Sequence, residues 1–294
     1  MRLVIIGAKG QVGWELQRRA PAFGHEALAW DVAELDITQA AAVDQALAAS
    51  GADVVINAAA YTAVDRAEQE PEQAFAVNRD GPRHLAAACA QLHIPLLHIS
   101  TDYVFDGSKP GPYAEDDPAA PLGVYGQSKW AGDQALQRVL PRHLILRVSW
   151  VFGLEGNNFV KTILRLARER EELRVVADQH GCPTYAGAIA DTLLHLAGRL
   201  PEIDGSNLWG TYHYCGAPAT TWHGFASAIV EQARRYEPLK ATQVTAINTA
   251  DYPTPAARPA NSVLDCSRLA DRLGIRPTAW QADLATLLSA FYER

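Results

Sequence analysis

Three observations predict an α/β fold built on a parallel, doubly wound sheet. Short runs rich in Val, Ile and Leu alternate with longer Ala-rich segments through the first half of the 294 residues. Those runs are apolar almost without a break, as strands covered on both faces are. The first of them passes directly into a glycine-rich turn that opens a helix. Right-handed crossovers then make the sheet Rossmann-type. The expected division is a dinucleotide-binding domain over 1–150 and a smaller C-terminal substrate-binding lobe over 151–294, with segments of the lobe returning to the sheet.

Each element follows from its residues. Residues 3–6 form a buried strand, and 11–22 a helix stopped by Pro21 and Gly24. A second strand over 26–30 and a second helix over 40–49 precede a third strand at 53–57. One long helix is expected from 71 to 92, then a fourth strand at 95–100. The Gly- and Pro-rich 107–123 is a loop, 124–139 a helix and 144–149 a strand. The second half is less regular. Helices are expected at 157–170, 185–198 and 222–235, with a Pro/Gly/Asn-rich separator at 201–210 and a short strand at 211–214. The segment 243–247, a Pro-rich loop at 253–259 and terminal helices complete the chain.

Composition narrows the function. Hydrophobic residues make up 48% and charged residues 20%, near the globular average, which excludes a disordered or low-complexity chain. The net charge is −7 and no Lys/Arg-rich run occurs, so no nucleic-acid partner is expected. The four cysteines are scattered without metal-ligand spacing, which fits a reducing compartment. The N-terminal apolar run is too short for a signal peptide and no stretch approaches the ~18 residues of a membrane span, so a cytoplasmic protein without a membrane partner is expected.

The turn Gly7-Ala8-Lys9-Gly10-Gln11-Val12-Gly13 has the residues a bound pyrophosphate needs: glycines for a tight turn and close backbone approach, and a helix N-terminus with free N–H groups. Asp31 closes the second strand, where its carboxylate either accepts from the hydroxyls of a ribose, favouring NAD over NADP, or merely caps the strand. Asp36 and Ile37 lie within similar reach of an adenine. The third strand ends in Asn57-Ala58-Ala59-Ala60-Tyr61-Thr62, small residues that admit a flat cofactor or a tightly packed helix. Ser100-Thr101-Asp102 ends the fourth strand, and Tyr125 and Lys129 share one helix face at i and i+4. An ammonium beside the phenol is expected to lower its pKa and ready it for proton transfer, while Thr101 polarises the same oxygen.

Together these segments resemble the extended short-chain dehydrogenase/reductases. The stretches 10–16, 58–65, 100–107 and 125–129, with 147–153, 158–162 and 258–262 in the second half, resemble the dTDP-4-dehydrorhamnose reductase family within them, over nearly the whole chain. The resemblance implies NAD(P)H-dependent reduction of the 4-keto group of a dTDP-6-deoxyhexulose to dTDP-L-rhamnose, with NADPH or NADH as cofactor and a dTDP-sugar as partner. It implies that Gly7, Gly10, Gln11, Val12, Asp31, Asp36, Ile37, Ala60, Tyr61 and Thr62 meet the cofactor. Tyr125 would donate the proton, Lys129 hold the nicotinamide ribose, and Thr101, Asp102 and Trp150 contact the sugar nucleotide. Lys161 and Arg258 are candidates for its diphosphate or else ordinary ion-pair partners. Some relatives hold Mg²⁺ between subunits; Glu15 matches in position, but the ligand set is incomplete and no metal is expected. The Ala-rich apolar helix faces serve as core or as a homodimer interface. Two other readings stay open: a nucleotide-sugar epimerase or dehydratase, and a non-catalytic NADP-binding subunit.

Overall fold

In the computed structural model, which describes residues 1–204 and 206–294, the first apolar run becomes β1 (Arg2–Ile6), buried from Leu3 onward. A strand with no solvent face needs neighbours at both edges and helices on both sides. β2 (Glu26–Trp30) and β3 (Val54–Asn57) pair with it, one at each edge, both parallel. β4 (Leu96–Thr101) and β5 (His143–Val148) extend the sheet beyond β3. Alternation sends Leu3 and Ile5 into one apolar core and Val4 and Ile6 into the other. The first core is covered by α1 (Gln11–Arg19), the second by α2 (Ala40–Ser50), α3 (Gly81–Leu92) and α4 (Val124–Val139).

The second half packs α5 (Phe159–Glu169), α6 (Ala186–Gly198) and α7 (Trp222–Ala233) onto the first core. A parallel pair of its own, β6 (Glu172–Val176) with β8 (Gln243–Ile247), lies beside α7. Between them in sequence, β7 (Gly210–His213) leaves the lobe and pairs with β5. The main sheet therefore reads β7-β5-β4-β3-β1-β2, all parallel. The order reverses between β1 and β3, and a crevice opens there at the carboxyl ends of the strands. α8 (Ser267–Leu273) and α9 (Trp280–Tyr292) end the chain.

Several expectations need correction. The first helix ends at Arg19, because Pro21 forces a 3-10 turn over Ala20–Phe23 that Gly24 closes at φ +73°. The helix expected over 71–92 is three segments: Pro71–Phe75, a π-helical turn at Ala76–Asp80, and α3. In the stretch expected as a separator, Leu200–Asp204 is helical and Gly205 lies outside the described residues. Strand β6 went unread, although Glu-Leu-Arg-Val-Val alternates exposed and buried positions as a half-buried strand does.

Candidate active site

The glycine turn is shaped by two close approaches. Gly7 sits at φ +81°, and a Cβ on it would lie 2.6 Å from the Ala59 backbone nitrogen. A Cβ on Gly13 would lie 2.0 Å from the Gly7 carbonyl oxygen, so α1 presses directly on the turn. Gly10 has more room, its nearest neighbour being the Gly7 oxygen at 3.3 Å. No side chain caps α1, and its first N–H groups stay available for an anion. The turn is tied down by Asp31, whose Oδ2 accepts the Lys9 N–H at 2.8 Å and whose Oδ1 accepts the Val32 N–H at 2.9 Å. Strand-end capping is thus one use of Asp31, and lone pairs remain for a second. Asp36 likewise turns the chain toward α2 by accepting from Thr38 N–H and hydroxyl.

Across the crevice, the run 58–62 is held by a residue that the sequence reading passed over. Asn78, buried in the π-helical turn, accepts the Tyr61 N–H at 2.8 Å and donates to the Tyr61 carbonyl and to Ser128 Oγ, both at 3.0 Å. The π turn itself touches α4 so closely that a Cβ on Gly132 would meet the Asn78 carbonyl at 2.0 Å. Two cavities flank this loop, of about 270 and 590 Å³, and Gly10 and Ala60 line both. Gly7, Asp31, Asp36, Ile37 and Tyr61 line the smaller. Gln11, Val12, Thr62, Thr101, Asp102, Tyr125, Lys129 and Trp150 line the larger. Apart from the diphosphate candidates Lys161 and Arg258, the fold brings every residue singled out for cofactor, sugar and proton transfer to these two adjoining cavities.

The electrostatics of the larger cavity differ from expectation at Tyr125. Its phenol is pushed up to about 12, burial being the largest cause, with the Thr101 hydroxyl pulling the other way and Asp102 and Asp133 adding to the rise. The expected lowering by Lys129 is absent because Lys129 Nζ turns away to donate to the Ile99 carbonyl at 2.7 Å. Burial draws the Lys129 ammonium down to about 8 against the opposing charge of Asp133. Thr101 donates to Asp102 Oδ1 at 2.9 Å and accepts the Tyr103 N–H. Asp102 Oδ2 is buried without a partner, and desolvation raises this carboxyl to about 6 against the lowering pull of the nearby Ser262 and Thr101 hydroxyls. An acid, a hydroxyl and an orphaned carboxyl oxygen therefore meet where a carbonyl could be held and protonated.

Comparison with known proteins agrees over the full length. A family model described as RmlD substrate binding domain matches residues 1–293. A dTDP-4-dehydrorhamnose reductase of Aggregatibacter actinomycetemcomitans is 47% identical over 289 residues, covering 97% of this chain and 98% of that one. The chain belongs to the dTDP-4-dehydrorhamnose reductase family. Among solved members, that of Clostridium acetobutylicum superposes with a TM-score of 0.90 at 36% identity, covering 99% of each chain. That of Bacillus anthracis, in complex with NADP, has a TM-score of 0.89 at 35% identity and covers 98% of this chain and 99% of its own.

In this member of the reductase family the far wall of the larger cavity is aromatic. Trp150 follows β5 at φ +45°, a left-handed conformation that swings its ring over the cavity. It stacks on Trp222 with centroids 3.5 Å apart and planes 6° from parallel, and Phe159 lies 4.7 Å from Trp222. Gly181 makes room, since a Cβ there would be 2.3 Å from the Trp150 ring. Trp222 and Phe159 were not singled out in sequence; both stand at helix starts, where an aromatic reads as packing. Asn158 caps α5 and donates to Gln11 Oε1 at 3.0 Å, joining the second half to the glycine turn. The cations suggested for a diphosphate are otherwise engaged. Arg258 grips Asp65 through two 2.8 Å bonds, and Lys161 Nζ donates to the Gly156 carbonyl. Glu15 is buried and committed to Arg18, Arg19 and the Tyr185 hydroxyl.

Proposed function

We propose that this chain reduces the 4-keto group of dTDP-4-dehydro-L-rhamnose to the hydroxyl of dTDP-L-rhamnose, the last step in making that nucleotide sugar, with NADPH or NADH as reductant. The observation that carries the reading is Tyr125, Thr101 and Asp102 lining one cavity with the glycine turn at its mouth, in a chain that matches reductases end to end. The cleft fits a dinucleotide: a Cβ at Gly7 would fill the cradle, and the uncapped start of α1 offers N–H groups to a pyrophosphate. Gly7, Gly10, Gln11 and Val12 hold the pyrophosphate, Asp31, Asp36 and Ile37 the adenosine end, and Ala60, Tyr61 and Thr62 the approach to the nicotinamide. The reduced nicotinamide, when bound, supplies the hydride. NADP in the Bacillus anthracis relative supports this cofactor class.

Tyr125 gives its phenolic proton to the carbonyl oxygen as the C–H bond forms, which turns C=O into CH–OH. A phenol near 12 is fully protonated at neutral pH, the state a proton donor requires. Thr101 shares that oxygen by hydrogen bonding. Asp102 accepts a sugar hydroxyl through the oxygen that lacks a protein partner, and Trp150 lies against the sugar nucleotide. Lys129, released from the Ile99 carbonyl, holds the nicotinamide ribose.

The same reading divides the chain into a dinucleotide half over 1–150 and a substrate lobe over 151–294. Four free cysteines support a reducing, cytoplasmic setting; no helix among the described residues is long and apolar enough to cross a membrane. A homodimer through the apolar helix faces is a further part of it, decided by sedimentation.

The test is oxidation of NADPH and of NADH followed by absorbance, with the keto sugar made in place from dTDP-glucose by the upstream dehydratase and epimerase. Wild type turns over and yields dTDP-rhamnose; Tyr125→Phe loses about 10²- to 10⁴-fold in kcat. Cofactor binding without turnover in the wild type would leave a regulatory subunit as the better reading.

A further inference from the structure

We propose that His98 and Asp133, buried behind Lys129, are positioning residues that bias its protonation in opposite directions, Asp133 toward the ammonium and His98 toward the free amine. The proposal rests on the reading of Lys129 as part of the reducing site. Neither residue lines the cleft, so neither touches substrate or cofactor; both act through Lys129.

The tautomer of His98 follows from its neighbours. Asn57 Oδ1 accepts the Ala59 N–H at 3.0 Å, which fixes the amide with Nδ2 facing His98 Nδ1, also at 3.0 Å. An amide nitrogen can only donate, so Nδ1 accepts and the imidazole proton sits on Nε2. Burial, then Lys129, then His143 hold this imidazole well below its usual pKa, so it is neutral. Its Nε2–H faces Lys129 Nζ at 3.4 Å. Two donors cannot bond to each other, whereas a neutral amine offers a lone pair to that N–H. His98 therefore opposes the ammonium.

Asp133 does the reverse. Its Oδ2 takes the Ser100 hydroxyl at 2.9 Å and lies 3.4 Å from Arg147 Nε. Its Oδ1 has no hydrogen-bond partner and lies 3.9 Å from His98 Nε2, so its charge is left facing the His98–Lys129 pair. Lys129 is met by His98 and the Ile99 carbonyl from β4 and by the charge of Asp133 from α4 itself; behind them, from β5, Arg147 lies on Asp133 and His143 bears on His98. Among them only Asp133 is acidic; burial raises its carboxyl, while Arg147, Lys129 and the Ser100 hydroxyl draw it back down and favour the carboxylate. The pair also has a mechanical link to the cleft: Asn57 bonds both His98 and the start of the run 58–62, so a shift in that loop reaches Lys129 through the imidazole.

The experiment is NMR titration of the full chain labelled with ¹³C at lysine Cε. Only five lysines are present, and Lys129→Met identifies the signal. In Asp133→Asn the Lys129 midpoint falls by about one pH unit, and in His98→Leu it rises by about one. His98→Gln keeps a donor near the Nε2 position and stays near wild type. The alkaline limb of kcat/KM moves the same way in each variant, and ¹⁵N-imidazole spectra show His98 as the Nε2–H tautomer between pH 5 and 9. Shifts in one direction for both residues, no shift in either, or an Nδ1–H tautomer would overturn the proposal. Opposite shifts in a protein that oxidises neither cofactor would support it while defeating the reductase reading. Should Asp133→Asn not fold, the contrast between His98→Leu and His98→Gln decides: a rise in the first alone supports the proposal, and equal midpoints overturn it.

Discussion

Asp31 caps the turn, and the proposed contact with the cofactor's ribose would be a second job for the same carboxylate, which a substitution can test. Its bonds to the Lys9 and Val32 N–H groups need only an acceptor, whereas repulsion of a 2′-phosphate needs the charge. Asp31→Asn keeps one of the two acceptor oxygens, and so one of the two bonds, and removes the charge. The ratio of kcat/KM for NADPH over NADH is expected to rise roughly fivefold, the worth of about 1 kcal/mol between solvated charges; an unchanged ratio would confine Asp31 to shaping the turn. The example also shows what residue identity alone conveys. Asp31, Thr101, Tyr125 and Lys129 were legible because each is a chemically special residue at a strand end or on a marked helix face. The direction of the Tyr125 shift was not, because it depends on where the Lys129 ammonium points, and the Ile99 carbonyl that captures it is a backbone group that no side-chain pattern reveals.

Between elements, the decisive contacts are backbone on backbone. α1 meets the turn that precedes it at the Gly13 position, and Gly13→Ala would set a methyl 2.0 Å from the Gly7 oxygen. Neither partner is a flexible side-chain end, so α1 must shift, at a cost of about 1–3 kcal/mol. A lower melting temperature and at least tenfold weaker NADPH binding by calorimetry are expected, and normal binding would refute this account of the turn. Elements with a sharp sequence boundary were read closely. α4 spans Val124–Val139 as expected, because Gly123 precedes it and Pro141 follows. The π turn at Ala76–Asp80 was hidden, since a single five-residue turn is too short to display a period of its own in the sequence. Asn78 was hidden with it: an Asn inside a helical stretch reads as solvated until the fold sets the 58–62 loop and α4 against it.

For the molecule as a whole, the orphaned carboxyl of Asp102 is a local cost expressed as global pH dependence. Its folded pKa, about 6, exceeds the ordinary 3.8, so the native state binds this proton more tightly than the unfolded chain does. Its contribution is greatest below about pH 4, is lost as pH rises toward 6, and stays lost above, about 3 kcal/mol in all. Asp102→Asn does not titrate and can still bond Thr101. It is expected to be the more stable protein at pH 8, by up to that amount in urea denaturation, with the difference shrinking toward pH 4 and with reductase activity impaired. An equal gain at both pH values would place the effect elsewhere.

The return of β7 to the sheet has a consequence for the order in which the protein can be made. β5 is complete at Val148, yet the strand that covers its edge is Gly210–His213. While the intervening residues are being translated, a nascent chain holding five finished strands carries an unpaired edge whose residues are all buried in the finished fold, a template for pairing with other chains. The fragment 1–150 is therefore expected to collect in the insoluble fraction when expressed alone, and a fragment reaching 216 to be the more soluble of the two. A soluble, monomeric 1–150 fragment would show that β5 needs no such cover. Synthesis thus passes through an interval in which an exposed edge must be shielded by speed or by a chaperone.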